Sequence, residues 1–285
     1  MHTCKTVLVG IIFALIAGLG QAATVVYVTS FDNDSVLKFD ADTGAFLGVF
    51  VPEGSGGLNG PTGLIFGPDG QLYVASFVFN NSVLKYNGRN GRFLGVFVTE
   101  GSGGLQGPMD LSFGPDGNLY VVSSYAGGVF RYDGQTGAFI DHFTTAPSGG
   151  EAMRWRRGFM YASSHNDDTV FKFDGTTGAL LGPITNGFLD WATGFDFGPD
   201  GNIYVASFFD DSVVKFNFRT GQSMGTFATN CFGPEMIEFG PDEDLYVASY
   251  FGDSIDRFDG QTGAFKRSIF GGGLAGPMDV AFRSR

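Results

Sequence analysis

The chain has 285 residues, a formal net charge of −12 and 43% hydrophobic residues, including 32 phenylalanines. The negative charge argues against a nucleic-acid or anionic-lipid partner, because like charges repel. The hydrophobic content is sufficient for a large core. Since repeats fill nearly everything after residue 23, we expect a single domain.

Residues 1–22 have the features of a secretory signal peptide. Lys5 supplies a positive charge, residues 7–19 are apolar, and small residues precede a cleavage site after Ala22. A membrane anchor is the alternative interpretation, although the apolar run is short for a span. We therefore predict a secreted or periplasmic protein whose mature chain, residues 23–285, has no membrane span.

The two cysteines do not predict a disulfide. Cleavage after residue 22 removes Cys4 and leaves Cys231 as the only thiol of the mature chain. A lone cysteine without a neighbouring histidine is typical of a small buried side chain rather than a nucleophile.

One short pattern recurs along the rest of the chain. It reads GPTGLIFGPDGQLYVASF at residues 60–77, GPMDLSFGPDGNLYVVSS at 107–124, WATGFDFGPDGNIYVASF at 191–208 and FGPEMIEFGPDEDLYVASY at 232–250. Each copy contains two apolar runs joined by a turn in which proline presets φ, and in the first three copies a glycine accepts a positive φ. A period of roughly 44 residues with four strand-like runs is typical of a β-propeller blade.

The number of runs predicts a closed ring. Innermost runs begin at residues 61, 108, 152, 192, 234 and 277, and second runs begin near residues 25, 72, 119, 160, 203 and 245. Because the mature chain starts on a second run and ends on an innermost one, its last run must pair with its first. We predict an all-β, monomeric six-bladed β-propeller with four-stranded antiparallel blades, closed by the C-terminal strand.

The repeat Pro-x-x-ψ-x-Phe-Gly-Pro-Asp-Gly-x-ψ-Tyr-Val-Ala-Ser, in which ψ is aliphatic, resembles NHL-type repeats. It is more loosely similar to the gluconolactonase/regucalcin-like six-bladed propellers. The chain departs from the NHL pattern where these repeats usually carry aspartate, since it has Ser30, Ser76, Ser123, Ser164, Ser207 and Ser249 there. The resemblance implies a fold more than an activity, because propellers include enzymes, binders and scaffolds.

Charged residues are concentrated at alternate positions of the innermost runs, which should face the central channel. They are Asp110, Arg154, Arg156, Asp196, Glu238 and Asp279. Such a set suits a metal ion or a polar ligand, and the alternative is a hydrated channel whose charges pair with one another. Residues 154–158 replace the usual turn sequence with Arg-Trp-Arg-Arg-Gly, a departure typical of a functional site or of drift.

Aromatic residues follow the second runs and should surround one mouth of the channel. The candidate ligand-binding residues there are Phe31, Phe77, His165, Trp191, Phe208 and Tyr250. Aromatic faces beside carboxylates suit a sugar, a peptide or a cationic ligand. The alternative is that the rings fill the ends of the blade interfaces, and His165 alone is no sign of catalysis.

We therefore predict an exported NHL-type propeller that acts as a binding or scaffold module through this aromatic and acidic face. Its expected ligand is a protein, a peptide or a carbohydrate.

The alternative, implied by the gluconolactonase resemblance, is a hydrolase or lyase that uses Ca²⁺ or another divalent cation at the channel, so enzymatic activity stays open. In that family, carboxylates and an asparagine hold the cation. The best matching positions are Asp110, Asp279 and Glu235, with Asp196 and Glu238 as further candidates, and no asparagine occupies the third position of an innermost run.

Overall fold

A computed structural model describes residues 24–284 as six four-stranded antiparallel sheets, each of them one blade of a β-propeller. The signal peptide predicted for residues 1–22 lies outside this range. Blade 1 contains β1 (Thr24–Ser30), β2 (Ser35–Asp40), β3 (Phe46–Val51) and the last strand, β24 (Pro277–Ser284). Blade 2 contains β4 (Pro61–Phe66), β5 (Leu72–Ser76), β6 (Ser82–Tyr86) and β7 (Phe93–Val98). Blade 3 contains β8 (Pro108–Phe113), β9 (Leu119–Ser123), β10 (Val129–Tyr132) and β11 (Phe139–Thr144).

The remaining blades follow the same order from the axis outwards. Blade 4 contains β12 (Gly150–Arg156), β13 (Phe159–Ser164), β14 (Thr169–Asp174) and β15 (Leu180–Pro183). Blade 5 contains β16 (Ala192–Phe197), β17 (Ile203–Ser207), β18 (Ser212–Phe216) and β19 (Ser223–Thr229). Blade 6 contains β20 (Pro234–Phe239), β21 (Leu245–Ser249), β22 (Ser254–Phe258) and β23 (Phe265–Ile269). No helix within residues 24–284 is long and apolar enough to cross a bilayer.

The predicted closure of the ring is confirmed. Strand β24 pairs antiparallel with β1, so that Val26 lies opposite Phe282 and Val28 opposite Val280. The innermost strand of each blade contacts those of the two adjacent blades, from β4 around to β24. Blade 1 therefore joins the two ends of the described chain and leaves no open edge between the first and last blades.

Aromatic pairs between neighbouring blades form the core. In the interface between blades 2 and 3, the ring of Tyr73 meets Phe97 and Phe113 edge to face, at centroid distances of 4.9 and 5.1 Å. Each such pair contributes about 1 kcal/mol beyond the area that it buries. The repeated tyrosine and phenylalanine of the sequence thus hold the blades together, and the fully buried Cys231 packs in the interface between blades 5 and 6.

Every blade has a β-bulge near the start of its innermost strand. In blade 2, Pro61 lies opposite Ser76 and Leu64 opposite Val74, so that two residues of β4 face one residue of β5. The same shift recurs in the other five blades. A bulge interrupts the strict alternation of side chains. The second and third residues of the strand therefore line different cavities, as described below.

The expected register of blade 4 is wrong by two residues. Strand β12 begins at Gly150 rather than at residue 152, and Gly150 pairs with Ser164. The turn to β13 is correspondingly shorter, with positive φ at both Arg157 and Gly158, as in a two-residue type I′ hairpin. This turn needs no Gly-Pro-Asp-Gly sequence, so aligning the repeats by that sequence misplaces the strand.

The serines that end the second strands hold the entering loop in five of the six blades, whereas Ser249 of blade 6 donates to Asp256. Ser76 donates a hydrogen bond from Oγ to the carbonyl of Asn59 (3.0 Å) and accepts one from its amide (2.9 Å). Ser30, Ser123, Ser164 and Ser207 make the corresponding bond to Ala275, Gln106, Ser148 and Asp190. The buried serine hydroxyls thereby gain a hydrogen-bond partner, and the loops are held to the ends of the second strands.

Candidate ligand-binding site

The channel contains two separate cavities, one on each side of the bulges. The axial cavity, of about 370 Å³, is polar and has the side chains of Asp110, Arg154, Asp196, Glu238 and Asp279 in its wall. These charges belong to the third and fifth residues of the innermost strands. Five of the six charged residues predicted to face the channel thus line this cavity.

Three carboxylates of the axial cavity bind backbone amides and thereby connect adjacent blades. Asp279 of blade 1 accepts hydrogen bonds from the amides of Val280 (2.8 Å) and Leu64 of blade 2 (2.9 Å). Asp110 of blade 3 likewise accepts from Leu111 and from Met153 of blade 4, and Asp196 of blade 5 accepts from Phe197 and from Phe239 of blade 6. Buried amides gain an acceptor, so these carboxylates have a structural role.

Arg154 balances part of the charge in the axial cavity. Its Nη1 lies 3.0 Å from Oδ2 of Asp110. Burial raises the pKa of Asp279 to about 7, helped by Asp110 and opposed by Arg154. Burial also raises the pKa of Glu238 to about 8, opposed by Arg154 and helped by the neighbouring carboxylates. The cavity therefore gains negative charge as the pH rises through neutrality.

The proposed metal ligands are divided between the two cavities, with Asp110, Asp196, Glu238 and Asp279 in the axial one. Glu235 lies in the other cavity, apart from Asp110 and Asp279. Within residues 24–284, no three histidine, cysteine, aspartate or glutamate side chains form a group able to hold a metal ion.

Arg156 is not in the channel, and its expected position there is wrong. Its guanidinium lies over the rings of Phe197 and Phe218, 4.3 and 5.0 Å from their centroids. Because of the two-residue shift of blade 4, Arg156 is the seventh residue of β12 instead of the fifth. It packs against the side of blade 5. Arg154 and Arg156 are therefore not partners in one site.

The second cavity, of about 430 Å³, is surrounded mainly by aromatic side chains, and we call it the aromatic mouth. All six residues predicted around this mouth line it: Phe31, Phe77, His165, Trp191, Phe208 and Tyr250. Tyr125 and Phe209 also line it, and its floor includes Thr62, Met109, Glu151, Glu235 and Met278, the second residues of their innermost strands.

The rings around the aromatic mouth form a continuous series. In order they are Tyr125, Phe77, Phe31, Tyr250, Phe251, Phe208, Phe209, Trp191 and His165, with successive centroids 4.0 to 6.2 Å apart. The series does not close into a full circle, because its two ends are separated between blades 3 and 4, where Ser124 follows the second strand. Phe209 and Phe251, which lie beside the six predicted residues, are 60% and 68% exposed, so these two rings do not simply fill blade interfaces.

Trp191 has an unusual backbone conformation at the mouth. Its φ is +64°, and the corresponding residue of every other blade is a glycine: Gly60, Gly107, Gly149, Gly233 and Gly276. Its amide donates to Oδ1 of Asp168 (2.7 Å), which holds the loop in place. A bulky residue with positive φ is strained, and such strain is concentrated at functional sites.

Glu151 and Glu235 bring acidic groups into the floor of the aromatic mouth. They are 4% and 8% exposed. Oε1 of Glu151 contacts Nδ1 of His165, while its Oε2 is buried without a hydrogen-bond partner. Burial raises the pKa of both carboxyls, and the charge of Glu151 raises that of Glu235 further.

Sequence reasoning missed Glu151 because the register of blade 4 was wrong. With the correct register, Glu151 is recognisable as unusual. The second position of the other innermost strands holds threonine or methionine, except for Glu235.

Comparisons with known proteins support the fold and do not give a family. A chain in the "Crystal structure of Nidogen/Laminin Complex" is similar with a TM-score of 0.72 and 12% identity, over 91% of this chain and 98% of that chain. At this identity the likeness shows the β-propeller fold alone. No protein-family model matches the sequence. No curated protein matches it either. The resemblance to NHL-type repeats and gluconolactonases therefore stays a prediction.

Proposed function

We propose that this protein is an exported recognition module that binds a protein partner through the aromatic mouth and the exposed rings beside it. The continuous series of nine rings around an open cavity carries this proposal. Aromatic side chains supply much of the binding energy at protein interfaces, and contiguous exposed apolar surface is typical of such sites. The structural neighbour comes from a complex of two proteins, which is consistent with this role.

The hydrolase or lyase alternative has less support. Asp110, Asp196 and Asp279 each accept two backbone hydrogen bonds, and two of these residues are among the best candidate ligands. A divalent cation in the axial cavity would have to compete with amides that connect adjacent blades. The aromatic mouth, by contrast, has a buried acceptor without a donor, Oε2 of Glu151, beside an open cavity.

A peptide-display selection tests the proposal. Random peptides are selected on the purified protein and then measured against the double variant Phe209→Ser/Phe251→Ser. Phe265→Ser is the control, because Phe265 is 59% exposed but lies on the outer strand of blade 6. We expect the selected peptides to lose at least tenfold in affinity for the double variant, equivalent to about 1.4 kcal/mol, and to keep it for the control. Failure to enrich peptides, or equal binding to both variants, would contradict the proposal.

A further inference from the structure

The two glutamates of the aromatic mouth are the charged members of an otherwise neutral ring of positions. Glu151 and Glu235 occupy the second position of β12 and β20, on the blades that flank blade 5. The corresponding residues of the other blades are Thr62, Met109, Thr193 and Met278. Two buried carboxyls in a largely apolar cavity are costly to place there, and so call for an explanation.

Their hydrogen bonds leave three acceptor atoms unused. Glu151 contacts His165 through Oε1, and its Oε2 has no partner. Among residues 24–284, no donor reaches either carboxylate oxygen of Glu235, although Glu235 is only 8% exposed. The mouth is lined by neither lysine nor arginine. The floor therefore presents unsatisfied acceptors, and the imidazole of His165 is the one basic side chain among the residues that line the mouth.

The walls of the mouth suit a cation with an alkyl chain. The faces and edges of Phe31, Phe77, Trp191, Phe208 and Tyr250 surround the cavity above the glutamates. A cation over an aromatic ring gains about 0.5 to 2 kcal/mol, and the methylenes that carry it bury apolar surface. An ammonium group has three donors, which matches the three free acceptors, whereas a quaternary ammonium has none.

We infer that the aromatic mouth binds a primary ammonium group, with its donors on Glu151 and Glu235 and its alkyl chain against the rings. This inference rests on the proposed function, because it names the chemical group that the partner inserts. A lysine side chain and the amino terminus of a partner both supply such a group, and so does a free amine.

Binding should be linked to proton release. The titratable groups that face the cavity are Glu151, Glu235, His165, Tyr125 and Tyr250, whose hydroxyl donates to Oδ1 of Asp32 (3.3 Å). Burial and the neighbouring Glu151 raise the pKa of Glu235, so its carboxyl keeps a proton to higher pH than an exposed glutamate, and an arriving cation favours the loss of that proton. Affinity should consequently increase with pH as Glu235 loses this proton.

Trp191 provides a direct optical measurement. The protein has two tryptophans, and Trp155 occupies a position that is phenylalanine in every other blade. The variant Trp155→Phe therefore restores the repeat sequence and leaves Trp191, in the mouth, as the sole reporter. Its fluorescence is titrated with Nα-acetyl-lysine methylamide, with the norleucine analogue that lacks the ammonium, with n-butylamine and with methyl glucoside.

We expect saturable binding of the lysine derivative, at least tenfold tighter than that of the norleucine analogue. Butylamine distinguishes a free amine from a lysine within a peptide, because only the peptide derivative gains contacts from its amides. Calorimetry in buffers of different ionisation enthalpy should show proton release on binding. Glu235→Gln should abolish this release and weaken binding at least tenfold, and its thermal unfolding verifies that the variant is folded.

Any one of four results would overturn the inference. The norleucine analogue binds as tightly as the lysine derivative, the glucoside binds more tightly, no compound saturates at millimolar concentrations, or the Glu235→Gln variant binds like the native protein. The proposed function is tested separately by the displayed peptides. Some selected peptides could need Phe209 and Phe251 for binding yet contain no lysine and require no free amino terminus. Such peptides would support the proposed function and contradict the inference of an ammonium site.

Discussion

The imidazole of His165 lies parallel to the indole of Trp191, with ring centroids 4.0 Å apart and an interplanar angle of 5°. This stack joins two adjacent blades, since His165 follows β13 and Trp191 precedes β16. The imidazole also contacts Glu151, and Trp191 has the positive φ that glycine has at this position of the other blades. The stack therefore places the strained Trp191 next to the imidazole that contacts Glu151 in the floor of the mouth.

The strain at Trp191 should be measurable from two substitutions. Trp191→Ala removes the stack with His165 but keeps a Cβ on a residue with φ of +64°. Trp191→Gly removes the stack and the Cβ. We expect the glycine variant to be more stable than the alanine variant by about 1 kcal/mol in urea denaturation.

Phe209 is the matched control, because it is an exposed neighbour in the same series of rings without a positive φ. There alanine should equal or exceed glycine in stability, since glycine has the larger unfolded-state entropy. An alanine variant at residue 191 as stable as the glycine variant would show that the backbone is unstrained.

The carboxylate of Asp279 should contribute more to stability than to binding. Asp279→Ala leaves the buried amides of Leu64 and Val280 without their acceptor, and we expect a loss of at least about 2 kcal/mol in the free energy of unfolding. Asp279→Asn keeps one carbonyl oxygen and should lose about half as much. The exposed Asp42 is the control, since its alanine variant should change stability little. Equal stability of all three variants would argue against the connection between blades 1 and 2.

Glu238 should make the protein less stable as the pH rises. Its pKa is raised from 4.5 to about 8 in the folded state, mainly by burial, so the folded protein retains this proton where the unfolded chain has lost it. The stability that the proton provides is complete below about pH 4.5 and is lost as the pH rises through about 8.

The variant Glu238→Gln removes this titration and should gain at least about 1 kcal/mol relative to the native protein between pH 4.5 and 8.5. Urea denaturation at a series of pH values measures the difference. Glu53→Gln, at an exposed position, serves as the control. A difference that stays constant across the series would contradict the assignment.

Cys231 should resist thiol reagents until the protein opens. Its side chain is fully buried, and burial together with Asp256 and Asp211 raises the pKa of the thiol, so little thiolate is available. If local opening costs about 4 kcal/mol, reaction with a disulfide reagent is slowed about a thousandfold relative to the unfolded chain. A rate in the native protein close to that of the unfolded chain would mean that the interface between blades 5 and 6 is open.

The fold was accessible from the sequence because its turns and apolar runs repeat. The same regularity predicted the closing pair of β24 and β1 and the six candidate residues of the aromatic mouth. It failed at blade 4, where the two-residue turn at Arg157 and Gly158 lacks the recurring turn sequence.

The bulges were the other source of error. Strict alternation along a strand assigns one side of the sheet to the second residue, but the bulge directs Glu151 and Glu235 into the aromatic mouth. Nor does a sequence indicate which carboxylates bind backbone amides of the adjacent blade. That depends on the distance between neighbouring strands. The sequence therefore suggests Asp110 and Asp279 as metal ligands, although their oxygens accept hydrogen bonds from the amides of Met153 and Leu64.

The pairing of β24 with β1 also determines when the protein can finish folding. Contacts in blade 1, such as that between Thr29 and Asp279, join residues 250 positions apart. Among the strands of residues 24–284, synthesis delivers β1 first and β24 last, so β1 must wait for its partner while the other blades assemble. Closure of such a distant contact is slow, and an unpaired β1 edge is prone to association with other chains during that interval. A chaperone that shields β1 would therefore act on the nascent chain before it acts on any other part of the ring.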